Sequence, residues 1–361
     1  MELRRKRSFG AGAFLLLALA AAGALLTAYL APYLNPASHP VVMFFGLYYV
    51  PIVLLNLLLL LAALLKYRRA LLVPVVALLP SLLVADRFVK FGREEEIPEG
   101  RPVRVLTYNL GRYNAGRRKV TANESVAGIR QFLSEQDADV VCLQEFAVKD
   151  TAALAPYLPA YPYRAQHLFK GNRWFGNVTL SKYPILHAET LTFPESRNMS
   201  LITDIDMQGR TVRVYNCHLE SFSISFPGMF NRLFRKKQFT DEVVQVHERV
   251  REATRRRTEQ VSALLENEAR SSCPNIVCGD FNDTPMSYTY HQLIRTKKDS
   301  FVEGGTGFGS SYAVLWPMLR IDYILFPQDF SAISHEITRI PWSDHYPATT
   351  TIYLDFNHRN L

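Results

Sequence analysis

The sequence has little cysteine and little excess charge. Four cysteines occur among 361 residues, at spacings that match neither a zinc site nor a disulfide framework. Residues 101–361 hold 31 basic and 27 acidic residues, a net charge of +4, which is weaker than the basic excess typical of nucleic-acid-binding domains. The sequence also lacks internal repeats and low-complexity segments, which excludes repeat architectures.

Long apolar runs occur only in the first 90 residues. We predict a membrane anchor over 1–90 with three transmembrane helices, at about 9–32, 41–65 and 70–88, followed by a linker over 91–102. The third run is the shortest and contains Pro74 and Pro80, so a re-entrant or interfacial segment is its alternative. For the first run, the alternative is a cleaved signal peptide.

Basic residues predict how this anchor is oriented. Residues 4–7 are all basic, and three of residues 66–69 are basic, whereas 34–40 contains no Asp, Glu, Lys or Arg. Cytoplasmic loops are enriched in Lys and Arg, so both basic stretches are predicted to lie in the cytoplasm. Three spans would then place the following domain outside the cytoplasm, in a multi-pass protein of the cell membrane. Failure of one later run to span would reverse this orientation.

The remaining residues, 103–361, have the pattern of a globular domain. Helical spacing covers 121–135 and about 241–269. Many strands with few helices favour an α+β fold in which two packed sheets are flanked by helices. The strand-like runs are 103–108, 139–143, 177–180, 201–205, 212–218, 275–279, 321–326 and 349–353.

Polar clusters end or follow several of these strands. Taken singly, each has a structural interpretation: Asn109 as a turn residue, Glu145 as the partner of a surface arginine, and His218 as a core histidine. Together they supply amide and carboxylate oxygens with few histidines, which favours Mg²⁺, or Mn²⁺ and Ca²⁺, over Zn²⁺. The clusters lie at 108–109, 144–145, 216–218, 279–282, 320–323 and 343–345.

Seven short stretches resemble the endonuclease/exonuclease/phosphatase superfamily, which includes deoxyribonuclease I. They occur in the order found in that family: TYNL at 107–110, CLQE at 142–145, LSKYPI at 180–185, NCHL at 216–219, GDFN at 279–282, RIDYI at 320–324 and SDHYP at 343–347. The resemblance implies a four-layer α/β/β/α sandwich over 103–361. The chain thus resembles a membrane-anchored, bacterial-type member of the superfamily.

The resemblance also implies roles for eight residues. Three would hold the metal ion: Asn109, Glu145 and Asp344. Five would be catalytic: His218, Asp280, Asn282, Asp322 and His345.

Within the catalytic set, His345 would transfer the proton and Asp322 would orient its ring. Asp280 would position the attacking water, and Asn282 and His218 would contact the phosphate. One departure is Gly111, which stands where abasic-site exonucleases carry an acidic residue. This departure weakens a DNA-repair interpretation.

These observations predict a metal-dependent phosphoester hydrolase of phosphodiesterase type, in which water attacks phosphorus. The stretch 221–239 interleaves Phe and Met with Arg and Lys, which suits an anionic lipid surface; packing on its own core is the alternative. We therefore predict a membrane as partner and a lipid-linked or extracytoplasmic phosphoester as substrate. Alternatives are a membrane-tethered Mg²⁺-dependent nuclease acting on nucleic acid and a non-catalytic binding protein; no protein partner is inferred.

Overall fold

The chain folds into two compact units. A computed structural model describes residues 2–92, 97, 100–114, 120–150, 160–194, 196–222 and 239–354. The first unit comprises Met1–Phe88 and Asp283–His291, and the second comprises Val89–Asn282 and Gln292–Leu361. The linker predicted over 91–102 lies partly outside the described residues, and so does most of the 221–239 stretch.

The first unit is helical. One of its helices, over Gly10–Ala28, is long and apolar enough to cross a membrane, and the count rises to two if the helices Pro40–Leu47 and Tyr49–Leu65, bent by 64° relative to each other, form one broken span. This count concerns the described residues. Membrane anchors, signal sequences and core helices of soluble proteins all share this length and apolar composition. The helices are α1 (Glu2–Ala28), α2 (Pro40–Leu47), α3 (Tyr49–Leu65) and α4 (Leu72–Leu78).

The continuous helix predicted over 70–88 is wrong. Only Leu72–Leu78 is α-helical there, and 3₁₀ turns follow at Leu79–Leu83 and Ala85–Arg87. Pro80 lacks the backbone N–H that would continue the α-helix. At 1.5 Å per residue, α4 is roughly 10 Å long, much less than the bilayer core of about 30 Å. The three-span orientation therefore stays a prediction.

A late segment of the chain completes the first unit. Met286 lies in the apolar core of this unit together with Leu25 and Tyr49. Gly46 permits the close approach, because a Cβ at that position would lie 2.5 Å from the Met286 carbonyl oxygen. Sequence periodicity gave no signal for this contact, since it joins residues about 240 positions apart.

The second unit is built on two six-stranded sheets and one two-stranded ribbon. The orders are β13-β14-β2-β3-β5-β4 in the first sheet, β10-β12-β9-β8-β7-β6 in the second, and β1-β11 in the ribbon. The strands are β1 (Val89–Lys90), β2 (Arg101–Asn109), β3 (Val140–Val148), β4 (Tyr163–Lys170), β5 (Trp174–Ser181), β6 (Ile185–Thr192), β7 (Met199–Met207), β8 (Arg210–His218), β9 (Asn275–Asp280), β10 (Lys297–Asp299), β11 (Gly307–Phe308), β12 (Asp322–Pro327), β13 (Ser331–Ile337) and β14 (Ala348–Leu354).

Helices α5 (Ala122–Gln136), α6 (Phe239–Ala269), α7 (Tyr288–Leu293) and α8 (Ser300–Gly304) complete the helix set of the described residues. α5 begins with a capping box between Thr121 and Glu124 and packs its apolar face on the first sheet. α6 contacts the second sheet, where the Tyr215 hydroxyl donates to Asn267 Oδ1 over 2.8 Å. The predicted α+β sandwich of two sheets with outer helices is confirmed.

Alternation along the strands divides the apolar residues between two layers. On β2, Val103 and Val105 face the layer between the two sheets, whereas Leu106 and Tyr108 face α5. Strands of the second sheet contribute in the same way to the inter-sheet layer. The central pair of each sheet is parallel, β2 with β3 and β8 with β9, so their carboxyl ends emerge together.

A chain of buried amides crosses between the sheets just below these carboxyl ends. Gln144 Nε2 on β3 donates to Asn216 Oδ1 on β8 over 2.8 Å. Asn177 Nδ2 on β5 donates to the Asn216 carbonyl oxygen over 2.9 Å. All three side chains are fully buried, and each amide meets a partner of the opposite sheet. We call these three residues the amide bridge.

Candidate active site

The candidate site lies where the inter-sheet layer ends. The polar residues continue the inward-facing stripes by two-residue steps, so the same alternation that buries valines delivers them to one edge. Neighbouring strands bring them side by side, because His218 pairs with Asp280 and Asp322 pairs with Asp280. The strand-borne residues at this edge are Asn109, His218, Asp280 and Asp322.

Asp280 is the central carboxylate of the site. It is 1% exposed, and its Oδ2 accepts from Asn109 Nδ2 over 2.8 Å while its Oδ1 accepts from the Asn282 amide over 2.8 Å. His345 Nε2 lies 3.8 Å and His218 Nε2 lies 4.0 Å from Oδ2. Burial and the neighbouring Asp322 charge raise the pKa of Asp280 to about 6, although both histidines act to lower it. The pKa of this carboxyl is therefore close to neutral pH.

His345 and Asp322 form a hydrogen-bonded couple. His345 Nδ1 donates to Asp322 Oδ2 over 2.9 Å, and both residues are buried. The Ser311 hydroxyl accepts from the Asp322 amide over 3.0 Å, and the Ser343 hydroxyl accepts from the His345 amide over 3.2 Å. Burial acts to lower the pKa of His345, but the Asp322 and Asp280 carboxylates outweigh it and raise that pKa well above its usual value. The two carboxylates thus favour the protonated form of the ring.

Glu145 reaches the cleft because β3 is irregular there. The alternation that sends Leu143 toward α5 would send Glu145 the same way, but the pairing with β5 shifts between Leu143 and Phe146 and Glu145 has φ 49°. Its Oε2 pairs with Arg112 Nε at 3.0 Å, and its Oε1 lies 3.6 Å from His218 Nε2. Burial acts to raise the pKa of Glu145, but the His218 and Arg112 charges prevail and lower it.

A tight turn brings the predicted metal ligands together. The Gly111 amide donates to Asn109 Oδ1 over 2.9 Å, and the next residue, Arg112, contacts Glu145. A Cβ at Gly111 would lie 2.3 Å from Asp344 Oδ1. Gly111 also has φ 52°, so the absence of an acidic residue at this position follows from both the space and the backbone.

The donor set fits a hard divalent cation. Asn109, Glu145 and Asp344 offer amide and carboxylate oxygens around the Gly111 turn, which are the ligands that Mg²⁺, Mn²⁺ and Ca²⁺ prefer. Asp280, Asp322 and His345 form a second group, whose ligand atoms lie within 4.8 Å of one another. Within the described residues, the buried atoms His218 Nε2 and Asp322 Oδ1 have no hydrogen-bond partner, as expected where a ligand completes the site.

Asn282 is placed differently from the other predicted residues. Its backbone is left-handed, with φ 51°, and its Nδ2 donates to the Leu219 carbonyl oxygen over 2.9 Å. One amide hydrogen is therefore committed to the loop that follows His218. The predicted contact with the phosphate rests on the second hydrogen of the same amide.

All eight predicted residues converge on one edge of the sandwich. Hydrogen bonds, ion pairs and the Gly111 turn connect them. Sequence reasoning missed Arg112, Ser311 and the role of Ser343. Ser343 could have been found, because it lies in the SDHYP stretch, whereas Arg112 and Ser311 lie in irregular segments without a pattern.

Comparisons with known proteins match two parts of this chain to protein families. The model of the Endonuclease/Exonuclease/phosphatase family matches residues 106–345. A domain family of unknown function matches residues 11–88, within the helical unit. The uncharacterized protein YbhP of Escherichia coli is 24% identical over 274 residues, covering 70% of this chain and 96% of YbhP.

Solved structures share the fold of the second unit. An endonuclease/exonuclease/phosphatase from Beutenbergia cavernae is 20% identical with a TM-score of 0.53, covering 70% of this chain and 72% of its own. One from Bacteroides vulgatus is 18% identical with a TM-score of 0.52, covering 71% and 100%. The catalytic domain of human Nocturnin, solved with a bound sulfate anion, is 17% identical with a TM-score of 0.50, covering 70% and 95%. At these identities the likeness shows the fold.

Proposed function

Because the chain belongs to the endonuclease/exonuclease/phosphatase family, whose members are generally hydrolases of phosphoesters, we propose that it is a metal-dependent phosphodiesterase. The observation that carries this proposal is the contact between Asp280 and the His345–Asp322 couple at the end of the inter-sheet layer. A buried carboxylate, a proton-donating imidazole and nearby oxygen ligands suit the attack of water on phosphorus.

The two histidines would meet the negative charge of the phosphate. Asp322 accepts from His345 Nδ1, so the ring keeps one orientation, and its protonated form would donate to the phosphate from Nε2. Within the described residues, His218 Nε2 is buried without a hydrogen-bond partner and lies 3.6 Å from Glu145 Oε1 and 4.0 Å from Asp280 Oδ2. Asp322 holds the His345 ring in place before substrate arrives, which is the condition under which such a donor stabilises a transition state.

Asp280 would orient the attacking water. Each of its oxygens already accepts one hydrogen bond, from Asn282 and from Asn109, which leaves a lone pair on each for a water molecule. Its pKa of about 6 is well matched to proton transfer near neutral pH. A divalent ion held by Asn109, Glu145 and Asp344 would neutralise phosphate charge and stabilise the leaving oxygen.

Hydrolysis of bis(p-nitrophenyl) phosphate, with Mg²⁺, Mn²⁺ or Ca²⁺ supplied in turn, tests the proposal. His345→Ala and Glu145→Gln are each expected to lose at least about 10²-fold in rate, as single preorganised groups typically do. The matched controls are His187→Ala and Glu336→Gln, since both residues are exposed on strands away from the cleft. Full activity in His345→Ala would contradict the assignment.

We also propose that the substrate is lipid-linked or held at a membrane. The apolar helix over Gly10–Ala28 and the mixed apolar and basic sequence of 221–239 support this. Deletion of 222–236 is expected to reduce hydrolysis on anionic vesicles far more than hydrolysis of a soluble diester. Equal losses would argue against a membrane substrate, and digestion of plasmid DNA with Mg²⁺ would favour a nuclease.

The extracytoplasmic side remains part of this proposal. With a cytoplasmic N-terminus, one span or three would export the catalytic unit, whereas two would retain it. A reporter enzyme that is active only outside the cytoplasm, fused to the C-terminus, is expected to be active. If this fusion were inactive and a reporter active only in the cytoplasm were active at the same position, the catalytic unit would lie in the cytoplasm.

A further inference from the structure

A left-handed turn places an arginine at the mouth of the candidate site. Gly111, Arg112 and Tyr113 have φ values of 52°, 54° and 63°. This conformation is unfavourable for residues other than glycine. The turn is held in place because Tyr113 is buried, with its ring centroid 6.1 Å from that of Phe146. Backbone strain that the fold maintains beside a cleft indicates a functional role for the side chain at that position, here Arg112.

The displayed side chain is that of Arg112. Its Nε pairs with Glu145 at 3.0 Å, and its guanidinium lies 4.8 Å from the centroid of the Phe175 ring. The side chain is nevertheless 59% exposed, so part of the guanidinium fork faces solvent beside Glu145. A guanidinium stacked on an aromatic ring keeps its orientation while leaving N–H groups for an anion.

A second arginine approaches the same ring. The Arg197 guanidinium lies 5.7 Å from the Phe175 centroid, and Arg197 is exposed. Its loop is fixed on both sides: Ser196 Oγ donates to Glu220 Oε2 over 2.6 Å, and Asn198 Nδ2 donates to the Leu219 carbonyl oxygen over 2.8 Å. The residues that hold Arg197 therefore directly follow His218 in the chain.

The negative charges around the cleft indicate a role for these arginines in binding an anionic substrate. Four carboxylates surround the site, at Glu145, Asp280, Asp322 and Asp344, and an anionic substrate would be repelled without compensation. One cation would serve the scissile phosphate. Two arginines beyond Glu145 exceed what that single phosphate requires.

We propose that Arg112, Phe175 and Arg197, here called the rim subsite, bind a second phosphate group carried by the substrate. The inference rests on the proposed phosphodiesterase function and specifies its substrate: a diester with a further phosphate near the scissile one. Guanidinium groups bind phosphate in a bidentate manner, and these two lie 4.8 Å and 5.7 Å from the Phe175 ring centroid. The phosphorylated part of the substrate is either a nucleotide or a lipid headgroup.

Two matched substrate pairs test the rim subsite. The nucleotide pair is thymidylyl-thymidine with and without a terminal phosphate; the lipid pair is short-chain phosphatidylinositol with and without a phosphate on the inositol ring. The ratio of kcat/KM within each pair measures the preference for the second phosphate. In the wild-type chain this ratio is expected to be at least about tenfold in one pair, which identifies the source, and to fall toward unity in Arg197→Gln.

Arg197→Gln is the decisive variant because Arg197 has no contact with the predicted metal ligands in the described structure. Arg112→Gln is expected to lower the same ratio, and Arg112→Lys to restore part of it. The matched control is Lys170→Gln, since Lys170 Nζ lies 5.8 Å from the neighbouring Trp174 ring on the same strand pair. No preference in the wild-type chain for either pair, or a preference that survives in Arg197→Gln, would overturn the proposal.

A binding measurement separates failure of the subsite from failure of the enzyme. Calorimetry with thymidine bisphosphate and thymidine monophosphate, in the presence of Ca²⁺, reports the second phosphate without turnover. Tighter binding of the bisphosphate that is lost in Arg197→Gln, in a chain that hydrolyses no diester, would support the rim subsite and reject the proposed function. Equal binding of both nucleotides, together with no preference in the lipid pair, would reject the subsite even in an active enzyme.

Discussion

Asp280→Asn is expected to make the metal-free protein more stable while removing its activity. The carboxyl has a pKa near 3.8 in the unfolded chain and about 6 in the fold, because burial and Asp322 disfavour its charge. This group therefore stabilises the fold below pH 3.8, and that contribution is lost as the pH rises through 6. Above pH 6 the buried charge is a cost that an asparagine does not carry.

The size of this effect follows from the two pKa values. The difference corresponds to about 3 kcal/mol above pH 7, at about 1.4 kcal/mol for each pKa unit. Asparagine keeps the hydrogen bond from the Asn282 amide but turns an N–H toward Asn109 Nδ2, which removes about 1 kcal/mol. The expected net gain in the free energy of unfolding is about 2 kcal/mol at pH 7.5, whereas at pH 3.5 the lost hydrogen bond leaves a net cost of about 1 kcal/mol.

Urea unfolding in EDTA at both pH values measures the gain. The control is Asp150→Asn, because Asp150 is exposed, and its stability is expected to follow the wild type. Excess Mg²⁺ is expected to narrow the gap at pH 7.5, since an ion that binds the folded wild type stabilises it. An Asp280→Asn protein less stable than the wild type at pH 7.5 in EDTA would refute the reasoning.

Two further predictions concern the turn and a second buried histidine. Gly111→Ala is expected to cost at least about 1–2 kcal/mol and to weaken Mn²⁺ binding by calorimetry, since its Cβ would displace Asp344; Gly209→Ala, with φ 92° and open space around it, should show the strain alone. Burial lowers the pKa of His335 to about 3 from 6.5, so its contribution to stability is lost as the pH falls below 6.5. Between pH 7.5 and 5 this loss is about 2 kcal/mol, so the free energy of unfolding measured with urea should fall by about 2 kcal/mol less in His335→Gln than in the wild type. An equal fall in both proteins would contradict this.

The sequence predicted the framework of the fold because its stripes are regular. Two-residue alternation on β2, β8, β9 and β12 continues into the polar residues, so recognising the strands also located the site. β4 and β6 were missed because most of their residues are only partly buried, and such strands have no continuous apolar stripe.

Other features depend on tertiary structure and could not be predicted. The left-handed backbone of Glu145 arises from the shifted pairing of β3 with β5, and a local pattern does not encode that shift. Arg112 acquires its place only when Tyr113 packs against Phe146. The short α4 was missed because apolar composition alone does not reveal where a proline ends an α-helix in favour of 3₁₀ turns.

The amide bridge determines how well the two halves of the cleft stay aligned. Contacts between apolar faces have no preferred direction, so they resist separation of the two sheets much more than a lateral shift of one sheet over the other. The hydrogen bond from Gln144 to Asn216 has both a length and an angle, and it therefore fixes the sideways offset of one layer on the other. Glu145 follows Gln144 directly, and His218 lies two residues after Asn216. The distance between Glu145 and His218 therefore depends on the lateral position of one sheet relative to the other. In Gln144→Leu the sandwich would stay folded, but the two sheets could shift relative to each other by fractions of an ångström. Reacting groups must be positioned more accurately than that.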